Sequence, residues 1–411
     1  MARIGIPRSQ QDDFSFYRTY AVIVELRKLG HTIETFNPGD RVAYAKCDWI
    51  FSHMLFGKGA EKVLQMAQEM ECKIWIDVDD NIWHVPFSNR AFEHHMDRTR
   101  QKWILDTADL ITVSTTPLLK MMENFIMKDN ILLLENYLWI EGFTPPRTDG
   151  KKVIAWRGGD HVEDFTHIIT ELYDLEQVAD EIHYFGGRPQ GYTPTGHTKV
   201  MWHPYTDTWN YLRLLKQVNP VIVFGYWADI PFNTCKSDIV WQEATAAGAV
   251  LVMNDGWDAF EDLAGWDYQG EELCQAVQSA LNDPDGTRNT WSWSLLEMDT
   301  KKRIRIEQSR KLSYKIRGTS ALDRGGVAEM KAIWQNTEKE RADIHPDVIS
   351  DDEMHHANSV EHTYRNELNV EAMETFTEKD NTAYAYEGEF TIPEIEHDGD
   401  EAYDRDKVDG I

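Results

Sequence analysis

The chain has no uninterrupted apolar run of about eighteen residues, the length a membrane-spanning helix needs. Its first residues, MARIGIPRSQQDD, lack the apolar core of an export signal. Both absences lead to the expectation of a soluble, cytoplasmic protein with no membrane insertion. Cysteine is scarce. Cys47, Cys72, Cys235 and Cys274 stand far apart and form no CxxC pair. Neither a disulfide framework nor a zinc site is expected, and the thiols read as reduced. Cationic residues are also short, with 42 Lys and Arg against 70 Asp and Glu, a net charge of −28. That balance weighs against general nucleic-acid affinity, because phosphate binding needs cationic surface.

The acidic excess is uneven. Residues 343–411 carry 21 acidic and 4 basic side chains, a net −17, which leaves −11 for residues 1–342. This tail is also poor in aliphatics, so it reads as disordered or as a loosely docked arm. A solubilising tail is the plain reading. A regulatory arm or a DNA-mimicking segment is the other.

At 411 residues with 15 Trp, the chain has room for two domains with sizeable cores. Strand and helix patterns alternate along the first part. Strands are predicted at Arg3–Pro7, Thr32–Phe36, Trp49–Ser52, Lys73–Val78, Leu110–Ser114 and Ile131–Leu134. Helices are predicted at Phe16–Leu29, Lys58–Met70, Asp97–Thr107 and Pro117–Phe125. A Pro- and Gly-bearing break, Thr144 to Gly150, then marks a linker. The alternation restarts with strands Val153–Trp156, Glu181–Phe185, Lys199–His203 and Pro220–Phe224, and helices Glu163–Val178 and Thr206–Gln217. Such alternation implies parallel, doubly wound sheets in an α/β fold.

The stretch PFNTCKSDIVWQEATAAGAVLV, residues 231–252, carries the most chemistry. Helical spacing runs over Ile239–Ala247, Gly248 ends the helix, and Ala249–Met253 follows as a buried strand. A helix N-terminus offers free N–H groups and partial positive charge to an anion. Lys236 adds a full charge there and Ser237 a hydroxyl. Glu243, about two turns inside, is a two-oxygen acceptor suited to a vicinal diol such as a ribose. Together they suggest a site for a nucleoside diphosphate, and hence a nucleotide-sugar. A second anion loop is IAWRGGD at 154–160, where Gly158 and Gly159 let the backbone approach a phosphate and Arg157 supplies a cation. The alternative is a tight turn with a surface Arg.

These residues resemble the donor site of the GT-B glycosyltransferases, especially the branch related to glycosyltransferase family 4. The pattern KS…LE…A.G.PV stands here as Lys236-Ser237, Gln242-Glu243, Ala246, Gly248 and Val250. YRTYAVIVELRKLGHTIE (17–34), ADLITVSTTPL (108–118) and LLLENYLWIEGF (132–143) look like parts of the N-terminal domain of such proteins, some of which are phage-encoded. The resemblance covers about residues 1–340. It implies two Rossmann-like domains at 1–146 and 151–300, helices at 301–340 that cross back to the first domain, and the acidic tail at 343–411. It also implies that Glu243 binds the ribose hydroxyls and Lys236 the diphosphate. Many members carry a second Glu eight residues before the ribose Glu, and Cys235 occupies that position here.

The segment IWIDVDDNIWHVP, residues 74–86, ends a predicted strand in three carboxylates, Asp77, Asp79 and Asp80. In a GT-B protein these form an acceptor-side or interdomain cluster. Two enzymatic alternatives are a DxD metal site on the diphosphate and a phosphatase loop with Asp77 as nucleophile. A capping turn is the plain alternative. Arg18, after Tyr17 at the opening of the first helix, faces either the interdomain cleft on the acceptor side or the surface. Of histidines 53, 84, 94, 95 and 161, His84 is the best candidate base because it shares a loop with the carboxylates. His94 and His95 are adjacent and diverge on a helix. Among Trp202, Trp209, Trp227, Trp257 and Trp266, core packing is the commoner role and stacking on a base or sugar the other.

The resulting expectation is a glycosyltransferase moving a sugar from a nucleotide-sugar to an acceptor hydroxyl. Lys236 and Arg157 carry the leaving-group charge, with no metal and no cofactor beyond the donor substrate. Retention of configuration follows from the family resemblance. The acceptor stays open among glycan, protein, small molecule and modified DNA base. A non-catalytic nucleotide-binding protein of the same fold is the non-enzymatic alternative.

Overall fold

The computed structural model describes residues 1–7, 16–57, 59–89, 92–126, 130–138, 142–158, 162–261, 263, 265–268 and 272–317. Gly159, residues 318–340 of the expected crossing helices, and the acidic stretch 343–411 lie outside the described residues.

Two six-stranded parallel sheets organise the chain. The first holds β1 (Arg3–Pro7), β2 (Thr32–Phe36), β3 (Trp49–His53), β4 (Lys73–Val78), β5 (Leu110–Val113) and β6 (Ile131–Leu133), in the order β2-β1-β3-β4-β5-β6. The second holds β7 (Val153–Gly158), β8 (Glu181–Gly186), β9 (Lys199–His203), β10 (Ile222–Phe224), β11 (Val250–Asn254) and β12 (Trp266–Tyr268), in the order β12-β11-β10-β7-β8-β9. Helices cover the sheets, so central strands are buried on both faces and read as nearly continuous apolar runs. In β4 and β11 this is visible directly, since every residue but one at an end of each strand is buried. The second sheet has the order of a dinucleotide-binding fold. The first has the flavodoxin-like order, extended by one strand.

The helices are α1 (Ala21–Lys28), α2 (Arg41–Tyr44), α3 (Ala60–Glu69), α4 (Phe92–His95), α5 (Arg98–Thr107), α6 (Thr116–Ile126), α7 (Val162–Val178), α8 (Thr208–Val218), α9 (Ile239–Ala246), α10 (Leu273–Asn282) and α11 (Pro284–Arg317). The helix expected from Phe16 opens instead as a π-helical turn, Phe16–Tyr20, with all five side chains buried. Strand β12 and the short helices α2 and α4 carry no strong local signal and were not expected; α10 was not expected either, although Leu273, Val277, Ala280 and Leu281 line one helical face. The C-terminal helix begins at Pro284, ahead of residue 301, and runs unbroken for 34 residues.

That helix straps the two sheets together. Trp291 Nε1 donates to Thr245 O at 2.9 Å beside the second sheet. Farther along, Arg305 Nε donates to both oxygens of Glu25 at 3.1 and 3.2 Å, and Trp49 Nε1 donates to Ile316 O at 3.1 Å. The linker is also held. Arg147 donates to the carbonyls of Val218 at 2.7 Å and Asn219 at 2.9 Å. Gly248 closes α9 with φ +80°, and a Cβ there would lie 2.5 Å from Pro145 O and 2.6 Å from Thr144 O. Only glycine satisfies both the backbone angle and this close approach.

Candidate functional site

In an open α/β sheet, ligands bind beyond the carboxyl ends of the strands, where the strand order reverses. In the second sheet that point lies between β7 and β10. A solvent-open cleft sits there, enclosing about 820 Å³ of space that runs out into open solvent. The second sheet's side supplies Trp156, Arg157, Gly225, Trp227, Lys236 and Ser237. The first sheet's side supplies Tyr17, Asp79, Asp80 and Asn136.

Glu243 stands on α9 and is only 1% exposed. Its Oε1 accepts from Tyr17 Oη and from Arg157 Nη2, the latter at 3.0 Å. Its Oε2 accepts from Tyr211 Oη at 3.0 Å and lies 2.7 Å from Arg157 Nε. The Arg157 fork is therefore bidentate, the strongest common form of this pairing. Burial and the adjacent carboxylate push both tyrosine hydroxyls well above their ordinary pKa, so they remain donors. Burial works against the Arg157 charge, but Glu243, Tyr17 and Tyr211 together outweigh that and raise its pKa. The π turn places Tyr17 here, so a side chain of the first sheet's half completes a carboxylate site in the second.

Lys236 precedes α9. Its Nζ donates to Asp80 Oδ1 at 2.8 Å and lies 4.3 Å from the Phe232 ring centroid. Ser237 Oγ accepts from Asn136 Nδ2 at 2.6 Å. The two cations of the cleft, Arg157 and Lys236, thus each rest on a carboxylate.

Asp77, Asp79 and Asp80 end in different places. Asp77 is fully buried and takes Arg18 Nε at 2.8 Å, Arg18 Nη2 at 2.5 Å and the Thr112 hydroxyl. Arg18 is equally buried and also donates to Leu134 O and to Asn136 Oδ1 at 3.2 Å. The expectation of Arg18 on the cleft or on the surface meets neither placement. The π turn points it inward, where burial is offset by the Asp77 charge. Asp79 reaches the cleft and has His53 Nε2 3.0 Å from its Oδ1. Burial would raise its pKa, but His53, Arg18 and Lys236 hold it down to about 2. Asp79 is therefore a fixed anion and a hydrogen-bond acceptor.

His84 is exposed, with Nδ1 3.1 Å from Asn81 Oδ1, and it does not line the cleft. Gly158 ends β7 beside Gly186, and its carbonyl accepts from Gly187 N at 3.0 Å. Cys235 is fully buried, packed with the core of the first sheet's half. Among the described residues, no group of three or more His, Cys, Asp or Glu side chains is gathered as a metal site, and no helix is long and apolar enough to cross a membrane.

No protein-family model matches the chain, and no curated protein sequence does. Solved structures do match. Sucrose-phosphate synthase from Thermosynechococcus elongatus superposes with a TM-score of 0.55 at 13% identity, covering 78% of this chain and 100% of that one. Anabaena HepE, in complex with UDP and glucose, gives 0.53 at 10% identity over 77% and 100%. A glycosyltransferase from Rickettsia africae gives 0.50 at 9% identity over 78% and 99%. The chain has the GT-B fold. Its two Rossmann-like halves are the two sheets described above, and the cleft lies between them.

Within this GT-B chain, several contacts in and behind the cleft had no distinct sequence signal. Tyr211 sits in an amphipathic helix, where an aromatic residue usually means core. Tyr17 was legible as part of a helix start, but not as a partner of Glu243, 226 positions away. His53 was one of the five candidate histidines, but its place at the end of β3 gives no local sign that it pairs with Asp79. Asn136 stands in a recognisable strand-end turn, yet its bridging of Arg18 and Ser237 depends on both halves being in place.

Proposed function

We propose that the chain is a glycosyltransferase, of the family 4 kind, that takes a nucleotide-sugar in the cleft beneath Glu243. The carrying observation is the convergence of Glu243, Arg157, Lys236 and Ser237 at the strand-order reversal of the second sheet. A nucleoside diphosphate needs a diol acceptor and cations for its phosphates, and these residue types supply both. Lys236 and Arg157 would stabilise the charge that develops on the leaving diphosphate. Both are only part-buried, Arg157 at 27% and Lys236 at 19% exposure, so they can reach a phosphate entering the cleft. The likeness to HepE, solved with UDP and glucose, makes UDP-sugars the first donors to try.

On the opposite wall, Asp79 and Asp80 face the cleft and would accept hydrogen bonds from the acceptor. A carboxylate held near pKa 2 is a poor general base. In a retaining reaction, the course the family resemblance implies, the departing diphosphate would take the acceptor proton. The Asp77 phosphatase reading is disfavoured physically, since a nucleophile must reach its substrate and Asp77 is fully buried against Arg18. The buried Cys235 favours one rival, a GT-B protein that binds a nucleotide without transferring a sugar.

The test is nucleoside-diphosphate release from a panel of UDP-, GDP- and ADP-sugars, with and without EDTA. Candidate acceptors are free glycans, peptides, small polyols and DNA with hydroxylated bases. Release from one donor that is abolished in Glu243→Ala and Lys236→Ala and unaffected by EDTA supports the proposal. Binding without release supports the rival. Release only with added metal, lost in Asp79→Asn, would replace it with the metal-dependent reading.

A further inference from the structure

Glu243 cannot receive a ribose in the state described here. An ionised carboxylate offers about four lone-pair positions. Tyr17 and Arg157 Nη2 occupy Oε1, and Tyr211 and Arg157 Nε occupy Oε2. The side chain is 1% exposed, so no further partner reaches it from solvent. A vicinal diol needs one acceptor position on each oxygen. Arg157 is the single group whose departure frees one position on each.

The other two donors are poorly placed to leave. Tyr17 packs edge-on against Phe16 at 5.3 Å, and Tyr211 edge-on against Phe185 at 5.5 Å. Neither has a charge that a ligand could attract. Arg157 differs on each point. It is 27% exposed, it lines the cleft, and its planar fork binds phosphate as well as it binds carboxylate. Moving the guanidinium from Glu243 to a phosphate exchanges one ion pair for another. Glu243 keeps two tyrosine hydroxyls and gains two ribose hydroxyls, so no lone pair is left bare.

We propose that Arg157 is a phosphate-operated gate on Glu243, so that the ribose position opens only to a nucleoside that brings its phosphates with it. This rests on the donor-site reading above and adds a specificity rule to it. Nucleosides are excluded because they cannot draw Arg157 away, and the diphosphate is required for the ribose contact as well as for its own.

The experiment is isothermal titration of the wild type and Arg157→Gln with UDP, GDP and ADP, and with the matching nucleosides uridine, guanosine and adenosine. The wild type is expected to bind one diphosphate and to bind its nucleoside at least about a hundredfold more weakly. In Arg157→Gln the diphosphate weakens, while the nucleoside tightens by about tenfold because Glu243 is already free. A nucleoside that binds Arg157→Gln no better than the wild type, when the wild type binds the diphosphate, overturns the gate and leaves the donor site standing. No binding of any diphosphate to a folded wild type overturns both. Arg157→Lys keeps the charge without the fork, and it carries the test, with a smaller gain for the nucleoside, if Arg157→Gln fails to melt cooperatively.

Discussion

Tyr17→Phe removes one hydroxyl from a pair that spans the two halves of the fold. The ring stays, so the packing against Phe16 is preserved and no cavity of consequence forms. What is lost is a hydrogen bond to a buried, ionised carboxylate. Tyr17 is 7% exposed and Glu243 1%, so water cannot replace the hydroxyl. Bonds to charged groups contribute about 1.5–3 kcal/mol. Glu243 keeps its Arg157 fork and Tyr211, which places the expected loss near the middle, about 2 kcal/mol. Tyr44→Phe is the matched comparison. Tyr44 is fully buried, and among the described residues its hydroxyl has no hydrogen-bond partner. Deleting that group relieves an unpaired buried donor and should leave stability unchanged or raise it by about 1 kcal/mol. Urea unfolding followed by tryptophan fluorescence measures both. Equal losses in the two variants would refute the reasoning, because the cost would then come from ring packing and not from the bond to Glu243.

Three further outcomes are expected. Asp79 has its folded pKa held at about 2 against an ordinary 3.8, so its contribution is full above about pH 4 and fades as pH falls to about 2. Asp79→Asn should therefore cost up to about 2 kcal/mol at pH 7 and flatten the acid limb of a melting-temperature profile, and an unchanged acid limb would count against the His53–Asp79 pair. Gly248→Ala forces a positive φ on a β-carbon that would also meet two linker carbonyls, so a loss of at least about 2 kcal/mol is expected in urea unfolding. A neutral result would mean that the linker yields freely. Cys235→Glu restores the acid common in the resembled family, but at a position with no exposure, so several kcal/mol of destabilisation is expected at pH 7. That carboxyl would have a raised folded pKa, so the deficit should shrink as pH falls from that value toward about 4 and be smallest below it. Gained transfer activity without destabilisation would show that the pocket accommodates it.

Much of the fold was legible because parallel strands buried on both faces leave plain apolar runs separated by helical periodicity. The stretches Lys73–Val78 and Lys199–His203 have the same bounds in sequence and structure. The region after Met253 was not legible. Gly, Asp and Trp there break any period, and β12 is only three residues long. The long helix from Pro284 is polar over much of its length, since it lies across other elements, and its start therefore carries little apolar signal.

The sequence by itself determined the two halves, the break between them and the residues around α9, because spacing, helix termini and glycine stops are local properties of the chain. It could also mark Arg157, Lys236 and Glu243 as chemically apt. Tertiary structure alone decided what each of them touches. It joined Arg157 to Glu243 across 86 positions and Lys236 to Asp80 across 156, and it buried Arg18 against Asp77. The physical reason is that charge pairing in a low-dielectric interior depends on distance and burial, and neither is set until both sheets are folded and strapped together.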